Sequence, residues 1–103
     1  MSTDMQLRIH GHVSNCICRT TTEGKAMLEI LLTTPSGQEV HAKHTYPDAS
    51  AASSYAAMSL ASKLKGQSAE LYTTNPRFTW RRLDCIALHV HPTSSTPARK
   101  DLE

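Results

Sequence analysis

Apolar and polar positions alternate along the start of the chain. Leu7, Ile9, Gly11 and Val13 share one face, and Arg8, His10 and His12 share the other, the period of a half-buried strand. A glycine inside such a pattern marks a bulge or the bend of a strand at a barrel corner. The strand continues through Cys16, Ile17 and Cys18 and ends in the polar turn Thr20–Lys25, where Gly24 supplies a positive φ. A second strand over Ala26–Thr34 places Leu28, Ile30 and Leu32 inward and Met27, Glu29, Leu31 and Thr33 outward. Leu31 on the outer face hints at a covered surface. After the turn Pro35-Ser36-Gly37-Gln38, a third strand over Glu39–Tyr46 turns Val40, Ala42 and His44 to one face and His41, Lys43 and Thr45 to the other.

The period then switches. Asp48 reads as an N-cap for a helix over Ala49–Lys65 with an apolar stripe of Ala56, Ala57, Leu60, Ala61 and Leu64. Lys63 and Lys65 suit its C-terminal dipole, and Gly66 its C-terminal cap. Tyr55 is expected to pack from this helix. A fourth strand runs from Gln67 to about Thr74 and ends at the turn Asn75-Pro76. A fifth runs from Phe78 to His91.

Three meandering strands, a helix, and a closing hairpin describe a mainly β OB-fold, a five-stranded Greek-key barrel with its helix between strands three and four. A helix lying on one face of an α+β sandwich is the competing architecture. Residues 1–5 read as a frayed start, 6–91 as the OB-fold domain and 92–103 as a disordered tail.

Composition narrows the chemistry only slightly. At 103 residues there is room for one small core, and 39% apolar content makes self-association an expected source of stability. The net charge of +2 is weakly basic, compatible with nucleic acid without demanding it. Three cysteines and no signal-like or membrane-spanning run suggest reduced thiols in a cytoplasmic protein. Cys16-x-Cys18 lacks the spacing of a zinc site and reads as small strand residues. The pairs His10-x-His12, His41-x-x-His44 and His89-x-His91 raise a metal reading, but no carboxylate or cysteine stands at matching spacing, and no cofactor is expected. Neither a phosphate-cradling glycine loop nor a nucleophile motif is present, so the expectation is a binding module rather than an enzyme.

Binding single strands requires cations along the phosphates and flat side chains for the bases. The densest such cluster is Arg77-Phe78-Thr79-Trp80-Arg81-Arg82, with Tyr72 expected across the hairpin. Arginine can grip phosphate bidentately and can also stack. Two registers compete here. Strict alternation back from Ile86, Leu88 and Val90 buries Phe78, Trp80, Arg82 and Asp84. A bulge near Leu83–Cys85 instead turns Leu83 and Ile86 inward and frees Phe78, Trp80 and Arg82. Arg19 and Lys25 at the first hairpin, and Lys43 on strand three, line the region where OB-folds hold ligands. Tyr46 either stacks on a base or packs on the helix.

His10-Gly11-His12-Val13, followed by Arg19 through Met27, resembles the opening of bacterial single-stranded-DNA-binding proteins. The entry to strand four at Lys65-Gly66 is similar, and Gly11-x-Val13 also resembles primosomal replication protein N. The resemblance implies single-stranded-DNA binding. Leu31 on the outer face and a strand-one edge of Arg8, His10 and His12 lead to the expectation of a homodimer or homotetramer, and replication or conjugation proteins are the further partners considered. The chain departs from the pattern in its basic Arg99-Lys100 tail, in Tyr72-Thr73-Thr74 where a glycine is expected, and in a short loop between strands four and five. Those departures point to a phage, plasmid or mobile-element version. A protein-binding OB-fold without DNA affinity, and a small ligand-binding protein built on the histidines, are the alternatives.

Overall fold

The computed structural model describes residues 6–79 and 82–93. Its elements are β1 (Gln6–Thr20), β2 (Ala26–Thr33), β3 (Glu39–Thr45), α1 (Ala51–Leu64), β4 (Ser68–Phe78) and β5 (Arg82–Thr93). The strands close into a barrel in the order β1-β2-β3-β5-β4. Only β3 and β5 run parallel; every other neighbouring pair is antiparallel. This closed five-stranded barrel with one helix between its third and fourth strands is an OB-fold.

Closure depends on β1 serving two neighbours. Its first half, Gln6–His12, pairs with β4, and its second half, from His12 on, pairs with β2. The handover falls at His12, directly after Gly11, with a bulge between Val13 and Asn15 just beyond it. A Cβ on Gly11 would lie 2.3 Å from the Thr33 carbonyl oxygen, so only glycine lets β1 pass this close to the end of β2. The edge of residues 6–11 that faces away from β4 pairs with no described strand.

Alternation in β2 and β3 follows the sequence. Leu28, Ile30, Leu32, Val40 and Ala42 are buried, and Val13 and Leu71 join them in the core. The helix closes one end of this core through Ala57, Ala61 and Leu64, while Ala56 of the expected stripe is exposed. Two backbone bonds lock the helix end to β1: Val13 N–H donates to Gln67 O at 2.7 Å and Gly66 N–H to Val13 O at 2.9 Å.

The helix begins two residues later than Asp48 would have it. Ser50 is the N-cap, accepting from the Ser53 amide at 3.1 Å. Asp48 buttresses this cap from outside the helix, accepting from Ser50 N–H at 3.0 Å and from the Ser53 hydroxyl at 2.7 Å. Tyr55 does not pack: it is 77% exposed, and Met58, one turn on, is exposed beside it.

The largest departures lie in β4 and β5. Asn75-Pro76 is not a turn, because β4 runs through it to Phe78. Asn75 takes φ 53, and the register gains one residue between Thr74 and Arg77, which makes the dipeptide a bulge inside a continuing strand. Asparagine tolerates the left-handed region, and Pro76, with no N–H, costs the ladder least at a bulge. In β5 the expected bulge near Leu83–Cys85 is absent. Leu83, Cys85 and Ala87 all point inward, and Ile86 is 44% exposed. The extra residue falls instead at Leu88, where Tyr72 faces His89 while Thr73 faces Ala87.

Candidate nucleic-acid interface

The long β4 and the parallel β3–β5 pairing bring three separate stretches of chain together on the outer face. Direct neighbours across the strands form two rows there: His41, Asp84 and Arg77, and beside it Lys43, Ile86 and Thr74. Between them lies an open groove of about 650 Å³, lined by Lys43, Arg77, Arg82, Asp84, Ile86 and Pro76 among others. Alternation puts the core-side partners Cys85 and Ala42 beneath it.

Charge in the groove is predominantly positive. Arg82 Nε lies 3.1 Å from Asp84 Oδ1, and His41 Nδ1 lies 3.7 Å from the same oxygen. Lys43 and Arg77 have no carboxylate within ion-pair distance among the described residues. Lys43 has Glu29 as its neighbour across the strands. The Glu29 carboxyl is held below its ordinary range by a hydrogen bond from Arg19, against the opposing effect of burial, with Arg19, His41 and Lys43 adding favourable charge. Glu29 therefore stays anionic and occupied by Arg19 at 2.8 Å. Such a site can hold an anionic backbone along Lys43 and Arg77 and offer Ile86 and Pro76 to flat apolar rings.

Of the residues expected to bind nucleic acid, Lys43, Arg77 and Arg82 meet in this groove. Phe78 follows Arg77 at the end of β4, not at the start of the fifth strand as expected, and is 72% exposed although its cross-strand partner Leu83 is buried. Trp80 and Arg81 lie outside the described residues. Thr79 N–H donates to Arg82 O at 2.9 Å, joining the end of β4 to the start of β5.

The remaining candidates lie elsewhere. Tyr72 is not across the hairpin from Phe78, because the register pairs Phe78 with Leu83 and Tyr72 with His89. It stands instead among His89 and His91, its ring 5.7 Å from His91 edge to face, with Arg8 as its neighbour on β1. Arg19 is held by Glu29, and Lys25 by Glu23 at 3.3 Å. Tyr46 is half-buried against the core and the His44 ring, and that burial raises its hydroxyl pKa. His44 itself is fixed through Nδ1 to Ala87 O at 2.9 Å.

Ile86, expected inward in both registers, and Asp84, expected buried in one of them, are groove residues, because their outward direction depends on where β5 bulges. No cluster of three or more His, Cys, Asp or Glu suited to a metal ion occurs among the described residues. No described helix is long and apolar enough to cross a membrane. No protein-family model matches the chain, and no curated protein sequence is significantly similar to it.

Proposed function

We propose that this OB-fold is a non-enzymatic cytoplasmic protein that binds single-stranded DNA, largely without sequence preference. Phosphates follow Lys43, Arg77 and Arg82, and bases stack on Phe78 and Trp80. The observation that carries the reading is the groove itself: Lys43 of β3, Arg77 of β4 and Arg82 of β5 line it together, and the exposed Phe78 follows Arg77 in the chain. The resemblance of residues 10–13 and 19–27 to bacterial single-stranded-DNA-binding proteins supports it, as does the place of the groove on the barrel. The chain acts as a homodimer or homotetramer, for which the edge of residues 6–11, paired with no second strand among the described residues, offers a strand-to-strand contact. Its work lies in replication, recombination or maintenance of a mobile element.

The test is a titration of oligothymidylate of about 16 nucleotides, the upper range of one OB-fold's site, followed by intrinsic tryptophan fluorescence. Saturable binding with quenching, weakening steeply with salt, is expected. Absence of binding at low salt overturns the reading. It would leave the second one, a protein-binding OB-fold of a replication or conjugation complex, which the exposed Tyr55 and Met58 on one face of α1 favour.

A further inference from the structure

An acidic side chain stands in the middle of the cationic groove. Asp84 has Arg77 as its cross-strand partner on β4, His41 on β3, and Arg82 two residues before it on β5. The Arg82 ion pair and the His41 approach are both made at Oδ1. No hydrogen bond reaches Oδ2 among the described residues, and its side chain is 32% exposed. A carboxylate repels phosphate, so a strand bound here cannot lay its backbone over Asp84. Its phosphates keep to the flanking cations, Lys43, Arg77 and Arg82, which turns the bases toward Asp84.

We propose that Asp84 gives the groove a local base preference, selecting an amino-bearing base, guanine first, at one position of the bound strand; this rests on the single-stranded-DNA reading. An ionised carboxylate only accepts hydrogen bonds. Guanine presents two adjacent donors, N1–H and the N2 amino group, which match the two oxygens of one carboxylate. Its next edge atom, O6, is an acceptor, and Arg77 supplies donors from the neighbouring strand. Cytosine and adenine present a single amino group each. Thymine presents one N–H between two carbonyls, both of which would face the carboxylate, and is the poorest partner. The Arg82 ion pair, with His41 on the other side, holds the acceptor in place while Oδ2 stays open to the base.

The experiment compares the full chain binding labelled oligothymidylate with the same strand carrying one central guanine, cytosine or adenine, by fluorescence anisotropy at low salt. The guanine strand is expected to bind at least about five-fold tighter than thymidylate, the lower end of what a bidentate base contact discriminates. Cytosine and adenine fall between. Asp84→Asn and Asp84→Ala are each expected to bind thymidylate tighter than the parent, and to bring the guanine preference within about two-fold, because the acceptor and its repulsion disappear together. Circular dichroism checks that both variants fold. Equal affinity of the parent for all four strands overturns the base preference and leaves the groove as a general single-strand site, as does a guanine preference that survives both substitutions. Failure to bind any strand overturns the underlying reading as well.

Discussion

Replacing Gly11 by alanine tests whether barrel closure depends on the contact between β1 and the end of β2. The added methyl group would meet the Thr33 carbonyl oxygen at 2.3 Å, and both the Thr33 carbonyl carbon and Leu32 Cδ2 at 2.8 Å. Two of these are backbone atoms, and Thr33 is tied on both sides, to His12 on β1 and to Glu39 on β3. The strands must separate to admit the methyl group. Overpacking of this kind costs ~1–3 kcal/mol, and backbone involvement places it at the upper end. Glycine-to-alanine exchange without a clash has the opposite sign, stabilising by ~0.4–1 kcal/mol through the unfolded chain. The net expectation is a loss of about 2 kcal/mol, which for a domain of this size lowers Tm by about 8–16 °C. Gly37→Ala is the control: its Cβ meets nothing within 4 Å, and only its φ of 92° is unfavourable. Its cost is about 1 kcal/mol. Thermal melts by circular dichroism read both variants. Gly11→Ala melting at or above the parent's temperature would refute this account of closure.

Two further predictions concern titratable groups. Hydrogen bonds from Ser50 and Ser53 hold the Asp48 carboxyl down at about 2. A depressed carboxyl contributes stability that is complete above its unfolded pKa, about 4, and disappears as pH falls through the folded one. Asp48→Asn should therefore melt below the parent at neutral pH and with it near pH 2; a gap that persists unchanged in acid would rule this out. Burial, with a smaller contribution from Cys18, pushes the Cys16 thiol up to about 11, and burial likewise raises Cys85. At pH 8 a thiol reagent should modify Cys18 well before the other two, and all three at once in denaturant. Equal native rates for the three would contradict the buried positions of Cys16 and Cys85.

The parts of the fold that were legible in the sequence are those where one face of a strand is buried without interruption. In β2 and β3 every second side chain enters the core, so period two reads directly as direction. The β4–β5 hairpin defeated the same counting because each of its strands gains one residue, at Asn75-Pro76 and at Leu88, and each gain flips every side chain beyond it. Asn-Pro between apolar runs is a turn by local chemistry; only the partner strand decides that it becomes a bulge. The site shows the same division. Lys43, Arg77 and Arg82 stand out as cations in any reading, but their convergence needs the parallel pairing of β3 with β5, a contact between residues some forty positions apart. Local chemistry sets Tyr72 against the wrong end of the hairpin for the same reason, and strict alternation, one of the two registers the sequence allows, buries Asp84 where it is a groove residue.

The central claim is that a single strand lies along Lys43 and Arg77. Its most direct test is the dependence of oligothymidylate affinity on salt, for the parent and for a variant carrying Lys43→Ala and Arg77→Ala together. Each phosphate contact on a single strand adds about 0.7 to the slope of log affinity against log salt. Removing both cations should make the slope shallower by about 1.4 and weaken binding at low salt. An unchanged slope in a folded variant would place the strand, if it binds at all, on another face of the barrel.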